Sequence, residues 1–149
     1  MSLATPEDMS HHTGASNAAE PSPIRELFAH IGFGEPIRDG DELVVELPAA
    51  PHVVNTRGGI QGGLIATLID VVAGMHALED CPPGIGVVTS DMNIRYLRAV
   101  TTGVASARSR IVHSGRRSVI VQVDVYATES DELAVMATAN FAKTPRTDR

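Results

Sequence analysis

The chain has no tryptophan and only five aromatic residues, two Tyr and three Phe. That is too few for the stacking platforms that hold single-stranded nucleic acid. Its single cysteine, Cys81, excludes an internal disulfide and any zinc site built from several thiolates, and it fits a reducing compartment. No apolar run approaches membrane-spanning length, and the N-terminus lacks the basic start and apolar stretch of a secretory signal. The expectation is a cytoplasmic protein with no membrane partner and no metal. What is present suits one folded domain: 149 residues, 43% of them hydrophobic, are enough to bury a core.

Acidic residues are missing from residues 92–123, which carry six arginines: Arg95, Arg98, Arg108, Arg110, Arg116 and Arg117. Residues 1–91 show the reverse, three arginines against thirteen acids. The net charge of −6 opposes phosphate-driven affinity, so no nucleic-acid partner is expected. Two readings of the arginines stand. They are solvated strand residues balancing an acidic remainder, or they form a local site for an anionic ligand.

Residues 1–23 are rich in Ser, Ala, Pro and His without periodicity and read as an N-terminal arm. Ile24, Leu27, Phe28 and Ile31 follow Pro23 at helical spacing, which predicts a short helix over 24–31. Residues 41–47 alternate as a strand, and 48–59 form a loop. A long helix is predicted over 61–78, ended by "CPPGIG". Four strands follow, at 87–97, 103–113, 118–128 and 133–143, with "SGRR" and "ESDE" as turns. One long apolar helix before four contiguous strands predicts an α+β domain over 24–143, an antiparallel sheet wrapped around the helix rather than βαβ units. Residues 144–149 remain as a tail.

Within the long helix, Ile65, Leu68, Ile69, Val72 and Met75 form one apolar face. Ala66, Asp70, Ala73 and Ala77 form a second, small-residue stripe with Gly63 and Gly74 close to it. An acid among apolar walls is costly unless paired, so Asp70 is either a satisfied core acid or a carboxylate tuned for base chemistry. Gly62 and Gly63 open the first turn, where amides lack intrahelical partners and the dipole is positive. They either admit a ligand oxygen to those amides or simply allow close helix–sheet packing. No P-loop ending and no G-x-G-x-x-G spacing is present. The eight residues from Gly62 to Asp70 span about 12 Å of helix. Groups acting on one carbonyl must approach it to about 3–3.5 Å, so one chain cannot supply both. Two such helices antiparallel across a twofold axis would bring each Gly62 to the partner's Asp70, which predicts an isologous dimer with two shared sites.

The stretch "HVVNTRGGIQGGLIATLID" resembles the H-x-x-N…G…H-G-G…L-x-D signature of hotdog-fold acyl-CoA thioesterases of the phenylacetate-pathway type. "VVTSDMNIRYLRAV" resembles that family's second strand, and "GVASARSRIVHSGRRSVIVQVDVY" its third and fourth. The resemblance implies a hotdog fold and hydrolysis of an acyl- or aryl-CoA to free acid and CoA. CoA is part of the substrate, and no other cofactor is needed. Asp70 would be general base or nucleophile, the Gly62 amide the oxyanion donor, Asn55 the group orienting water or thioester, and Thr89 the hydroxyl holding water beside Asp70. By the family pattern Asn55 and Gly62 come from one subunit, Asp70 and Thr89 from the other, in a homodimer that assembles as a homotetramer.

The family's His before the glycine pair is here Gln61, which can hydrogen-bond but cannot titrate. Gln61 and Gly63 remain substrate-binding candidates, and Arg116 and Arg117, in a turn, are candidates for the CoA phosphates. His52 and His76 are nearby, but neither stands at the expected place, and Cys81 has no base beside it. The alternative is a non-catalytic acyl-CoA-binding protein, a sensor or scaffold; a dehydratase is disfavoured by the missing His.

Overall fold

The computed structural model describes residues 22–147; all but the last two residues of the arm expected at 1–23 lie outside them, and Pro23 belongs to the first helix. Helix α1 (Pro23–Ile31) starts on proline and stops at Gly32, whose φ of 107° closes the helix in the left-handed region. A hairpin of β1 (Ile37–Asp39) and β2 (Glu42–Pro48) follows. Then come α2 (Gly62–Glu79), β3 (Ile85–Tyr96), β4 (Val104–Ser114), β5 (Ser118–Ala127) and β6 (Glu132–Pro145). The helices and the last four strands lie within two residues of their expected ends. β1 is an additional strand that the sequence pattern does not announce, and β6 runs on to Pro145.

All six strands form one antiparallel sheet in the order β1-β2-β4-β5-β6-β3. The inner face buries Leu43, Val45 and Leu47 of β2, Ala105 and Ala107 of β4, and Val119, Val121, Val123 and Val125 of β5. That period-two burial is what the alternating strands encode. Directly after α2 the chain crosses to the far edge, where β3 pairs with β6 alone along nearly its whole length.

α2 lies against this inner face and buries Ile65, Leu68, Ile69, Val72, Ala73, His76 and Ala77. The expected division of its faces is corrected. Ala73 and Ala77 are fully buried, continuing the ridge of Ile65 and Ile69 at four-residue spacing, whereas Met75 turns outward at 39% exposure. The open side instead carries Gly63, Thr67, Asp70, Val71, Gly74, Met75 and Leu78. α2 is also long and apolar enough to cross a membrane, contrary to the reading of the apolar runs. In this fold the sheet covers its most apolar ridge.

Candidate active site

Asp70 is half-buried on α2, on the border between the covered and open sides. Thr89 Oγ1 donates to Asp70 Oδ1 at 2.7 Å. Thr89 faces α2 from the inner side of β3, just before a bulge between Thr89 and Asp91, and such irregularities re-aim side chains at strand edges. No cation pairs with Asp70 among the described residues. Thr89, expected to hold a water beside Asp70, bonds the carboxylate directly within one chain, and the deep burial considered for the acid is not present.

The second cluster forms at the N-terminus of α2. The loop before it is closed by a bridge between Val54 and Ile60, and the Asn55 N–H donates to the Gly59 carbonyl at 2.7 Å. Asn55 Oδ1 accepts from the Arg57 amide at 2.9 Å, an Asx turn that leaves the side-chain NH₂ as its free donor. A cavity of about 280 Å³ is lined by Asn55, Gly62, Tyr96, Arg98 and Ala99 among others; Asp70 does not line it. Leu64 and Ile65 donate to the Gln61 carbonyl, while the Gly62 and Gly63 amides find no acceptor among the described residues.

The four glycines here have different reasons to exist. Gly58 has φ +83°, the left-handed region. A Cβ on Gly59 would sit 3.0 Å from Ala99, too close for comfort. On Gly62 it would make only ordinary contact with the Tyr96 ring, and on Gly63 it would meet nothing within 4 Å. Packing within the chain thus explains Gly59 but neither glycine of the pair.

Tyr96 is a site residue that the sequence reading misses. Its hydroxyl donates to the Gly62 carbonyl at 2.6 Å, bracing the first turn of α2, and partial burial pushes its phenol above the ordinary value. The available signal is strand alternation: Tyr96 shares the helix-facing side of β3 with Ile94, and a tyrosine there needs a partner for its hydroxyl.

Gln61 caps α2 through its backbone; its exposed side chain makes no capping bond. Arg116 lines a cavity of about 370 Å³ with Pro82, Ile85 and Lys143, and Arg117 sits exposed beside it in the β4–β5 turn. The other arginines disperse. Arg108 pairs with Asp39 and with Glu42, the latter at 2.7 Å; Arg98 pairs with Glu132, and Arg110 donates to Gln122. Arg95 faces the outer side of the sheet near Gln122 and Met136. His52 bonds the carbonyls ending α1, and His76 is buried against Ser109. Cys81 Sγ donates to the Ala77 carbonyl at 3.3 Å, closing the end of α2.

This sheet-wrapped helix with a carboxylate–hydroxyl pair at its middle and bare amides at its N-terminus has the architecture of the hotdog fold. Residues 58–134 match the thioesterase superfamily, and the chain belongs to that superfamily. It is similar to the acyl-coenzyme A thioesterase THEM4 of Rattus norvegicus, 33% identical over 93 residues that make up 62% of this chain; it spans 39% of that protein's length. The BH2602 protein of Bacillus halodurans, solved with CoA, is 33% identical with a TM-score of 0.67, over 73% of this chain and 71% of that one. Thioesterase HI1161 of Haemophilus influenzae shares the fold at a TM-score of 0.77 and 20% identity, over 83% and 85% of the two chains.

Proposed function

We propose that this protein hydrolyses acyl-CoA thioesters to free acid and CoA, as a homodimer in which each site draws on both subunits. The observation that carries the reading is the Thr89–Asp70 hydrogen bond. It fixes one carboxylate oxygen and leaves the other for a water molecule or for the thioester carbon. Asp70 removes the proton from that water as it attacks the carbonyl, or attacks directly to form an anhydride that water then cleaves. The carbonyl oxygen gains negative charge at the positive end of α2, where the unpaired Gly62 amide stabilises it. The Asn55 NH₂ orients the thioester, and CoA departs as the thiol after taking up a proton.

Assembly across a twofold axis is supported by distance, since Gly62 and Asp70 stand eight residues apart on one unbroken helix. It is supported too by β3, a twelve-residue edge strand whose outer side has no partner among the described residues. Such an edge invites pairing with its own copy. Arg116 and Lys143 flank the start of β3 at Ile85. Four residues of strand, about 13 Å, separate Ile85 from Thr89, a reach that suits a pantetheine arm running from the carbonyl to the CoA phosphates. A link to the phenylacetate-pathway type rests on the motif resemblance, and the acyl-CoA substrate on what the similar proteins are named for or were solved with.

The deciding measurement is release of CoA thiol from a panel of acyl-CoAs by wild type and Asp70→Asn. Turnover by the wild type with a loss of about 10³-fold in the variant is expected. Equal turnover by both would remove Asp70 from the mechanism. Binding without turnover by either would instead favour a non-catalytic acyl-CoA binder, the reading to which Gln61 in place of the family's His lends support.

A further inference from the structure

Of the four glycines around the start of α2, Gly63 has the least reason of its own to be one. A Cβ there would meet nothing within 4 Å, and its φ is not in the left-handed region. Its N–H finds no acceptor among the described residues. A bare glycine inside a helix is a cost unless something approaches it closely. One side chain already reaches the peptide that carries this N–H. The Gly62 carbonyl and the Gly63 N–H belong to one peptide unit, and Tyr96 Oη donates to that carbonyl at 2.6 Å.

A carbonyl oxygen has two lone pairs, so the hydroxyl can add to the helix's own hydrogen bond without displacing it. A donor on the oxygen draws electron density from the amide nitrogen and makes the attached N–H a stronger donor, by about 10–30% for each such bond. The Tyr96 ring edge also lies 3.5–3.7 Å from the place of a Gly62 Cβ, which seats the hydroxyl against the first turn. Tyr96 is the last residue of β3, and Thr89, on the same strand, donates to Asp70. One strand thus supplies a hydroxyl to the N-terminus of α2 and another to its middle.

We infer that Tyr96 is a positioning residue: its hydroxyl aligns and polarises the Gly62–Gly63 peptide, so that the Gly63 N–H joins the Gly62 N–H as a second donor to the oxygen that gains charge. The inference rests on the thioesterase reading for the identity of that oxygen. It accounts for Gly63, whose missing side chain lets the oxygen come up to the amide. Phenylalanine at position 96 would fill the same space and leave that amide an ordinary one.

Tyr96→Phe keeps the ring and removes the hydroxyl. In NMR spectra of the variant the Gly63 amide nitrogen should move upfield, while those of Gly74, three turns further along α2, and Gly115, in the β4–β5 turn, stay in place. Its kcat should fall about fivefold with KM held within about twofold, because the bond strengthens a donor used as charge develops. A purely structural brace would lower the melting temperature and leave the Gly63 nitrogen unmoved. A second experiment keeps both ring and hydroxyl. Tyr126, the other tyrosine, lies on the outer face of β5 beside Ser106. In a Tyr126→Phe background, difluorotyrosine is therefore placed at position 96 alone. Its phenol ionises near neutral pH, whereas burial pushes that of Tyr96 above its ordinary value. Among the described residues lining this cavity Arg98 alone carries charge, and it is paired with Glu132. As the analogue ionises, followed by absorbance, kcat should fall with the same midpoint, and the tyrosine protein should show no such step. A Gly63 nitrogen unmoved in folded Tyr96→Phe, or a kcat indifferent to the analogue's ionisation, would overturn the role of Tyr96. If the Gly63 nitrogen moves while no acyl-CoA is hydrolysed by either protein, the polarisation stands and the thioesterase reading falls. Hydrolysis with an unmoved Gly63 nitrogen keeps the activity and removes Tyr96 from it.

Discussion

The two halves of the candidate site are made of different material. At Asp70 and Thr89, side chain meets side chain, and the geometry depends on what those residues carry. At Gly62 the proposed group is a backbone amide, and the geometry depends on what the residue lacks. A side-chain half can be disabled by exchanging one functional group. A backbone half survives most substitutions, because nearly every residue brings the same N–H. Proline is the exception, and the local conformation admits it. Gly62 is the first residue of α2, where proline is favoured, and Gln61 at φ −56° and ψ 129° already holds the extended conformation required before proline. Gly62→Pro should therefore keep its melting temperature within a few degrees of wild type while losing about 100-fold in kcat, the usual cost of one oxyanion donor. An unaltered kcat in a folded variant would dissolve the contrast by removing the amide from the chemistry.

If the halves that meet belong to different subunits, two dead variants should repair each other. Mixing and reassembling equal amounts of Asp70→Asn and Gly62→Pro chains makes half the dimers mixed, each with one intact and one doubly defective site. About a quarter of wild-type activity should return, from a background near zero. Failure to recover any activity after verified subunit exchange would place both halves of a site on one chain.

Within the side-chain half, Thr89 separates the functional group from its packing. Its hydroxyl donates to Asp70, so Thr89→Ala should cost about tenfold in kcat/KM, the worth of one hydrogen bond to a charged group. Thr89→Ser keeps the donor and should restore most of that loss. A serine variant as impaired as alanine would mean that the methyl group, through packing, is what matters at this position.

How much of the molecule is legible in the sequence follows from how local each signal is. α2 and strands β3 to β6 are readable because their patterns repeat over ten or more residues. β1 has three exposed residues, too few for any period to register. The crossing of β3 to the sheet edge is not legible either, since pairing order depends on contacts between distant segments. The arginines make the same point. Six of them without an intervening acid suggest an anion site, but Arg108 finds Asp39 and Glu42 more than sixty residues upstream, and Arg98 finds Glu132. Only the fold reveals which charges are already spoken for. Asp70 with Thr89 is anticipated through family resemblance, whereas Tyr96 carries no motif and emerges from geometry alone.

Both halves ride on α2, and the buried His76 ties that helix to β4, so separating them needs a control for the fold itself. Ser109 has one hydroxyl proton, and it goes to the Leu43 carbonyl at 3.1 Å. His76 Nδ1, 2.9 Å from Ser109 Oγ, must then be the donor, leaving Nε2 bare toward the Arg38 guanidinium at 3.4 Å. A second proton would place charge in a buried site and an N–H against a cation. Burial first, and then Arg38, lower the His76 pKa below its ordinary 6.5, with Glu79, Ser109 and Asp80 pulling the other way. A depressed folded value means that the unfolded chain binds the extra proton more readily. This contribution is complete above pH 6.5 and is lost as pH falls through the folded value. The melting temperature of wild type should therefore drop by a few degrees between about pH 7 and 5. His76→Asn should start lower at neutral pH and fall less steeply. An identical slope in both proteins would exclude His76 as its origin. Where the slope does differ, any acid-side loss of activity shared in parallel by wild type and Gly62→Pro belongs to the helix that carries both halves, not to either half.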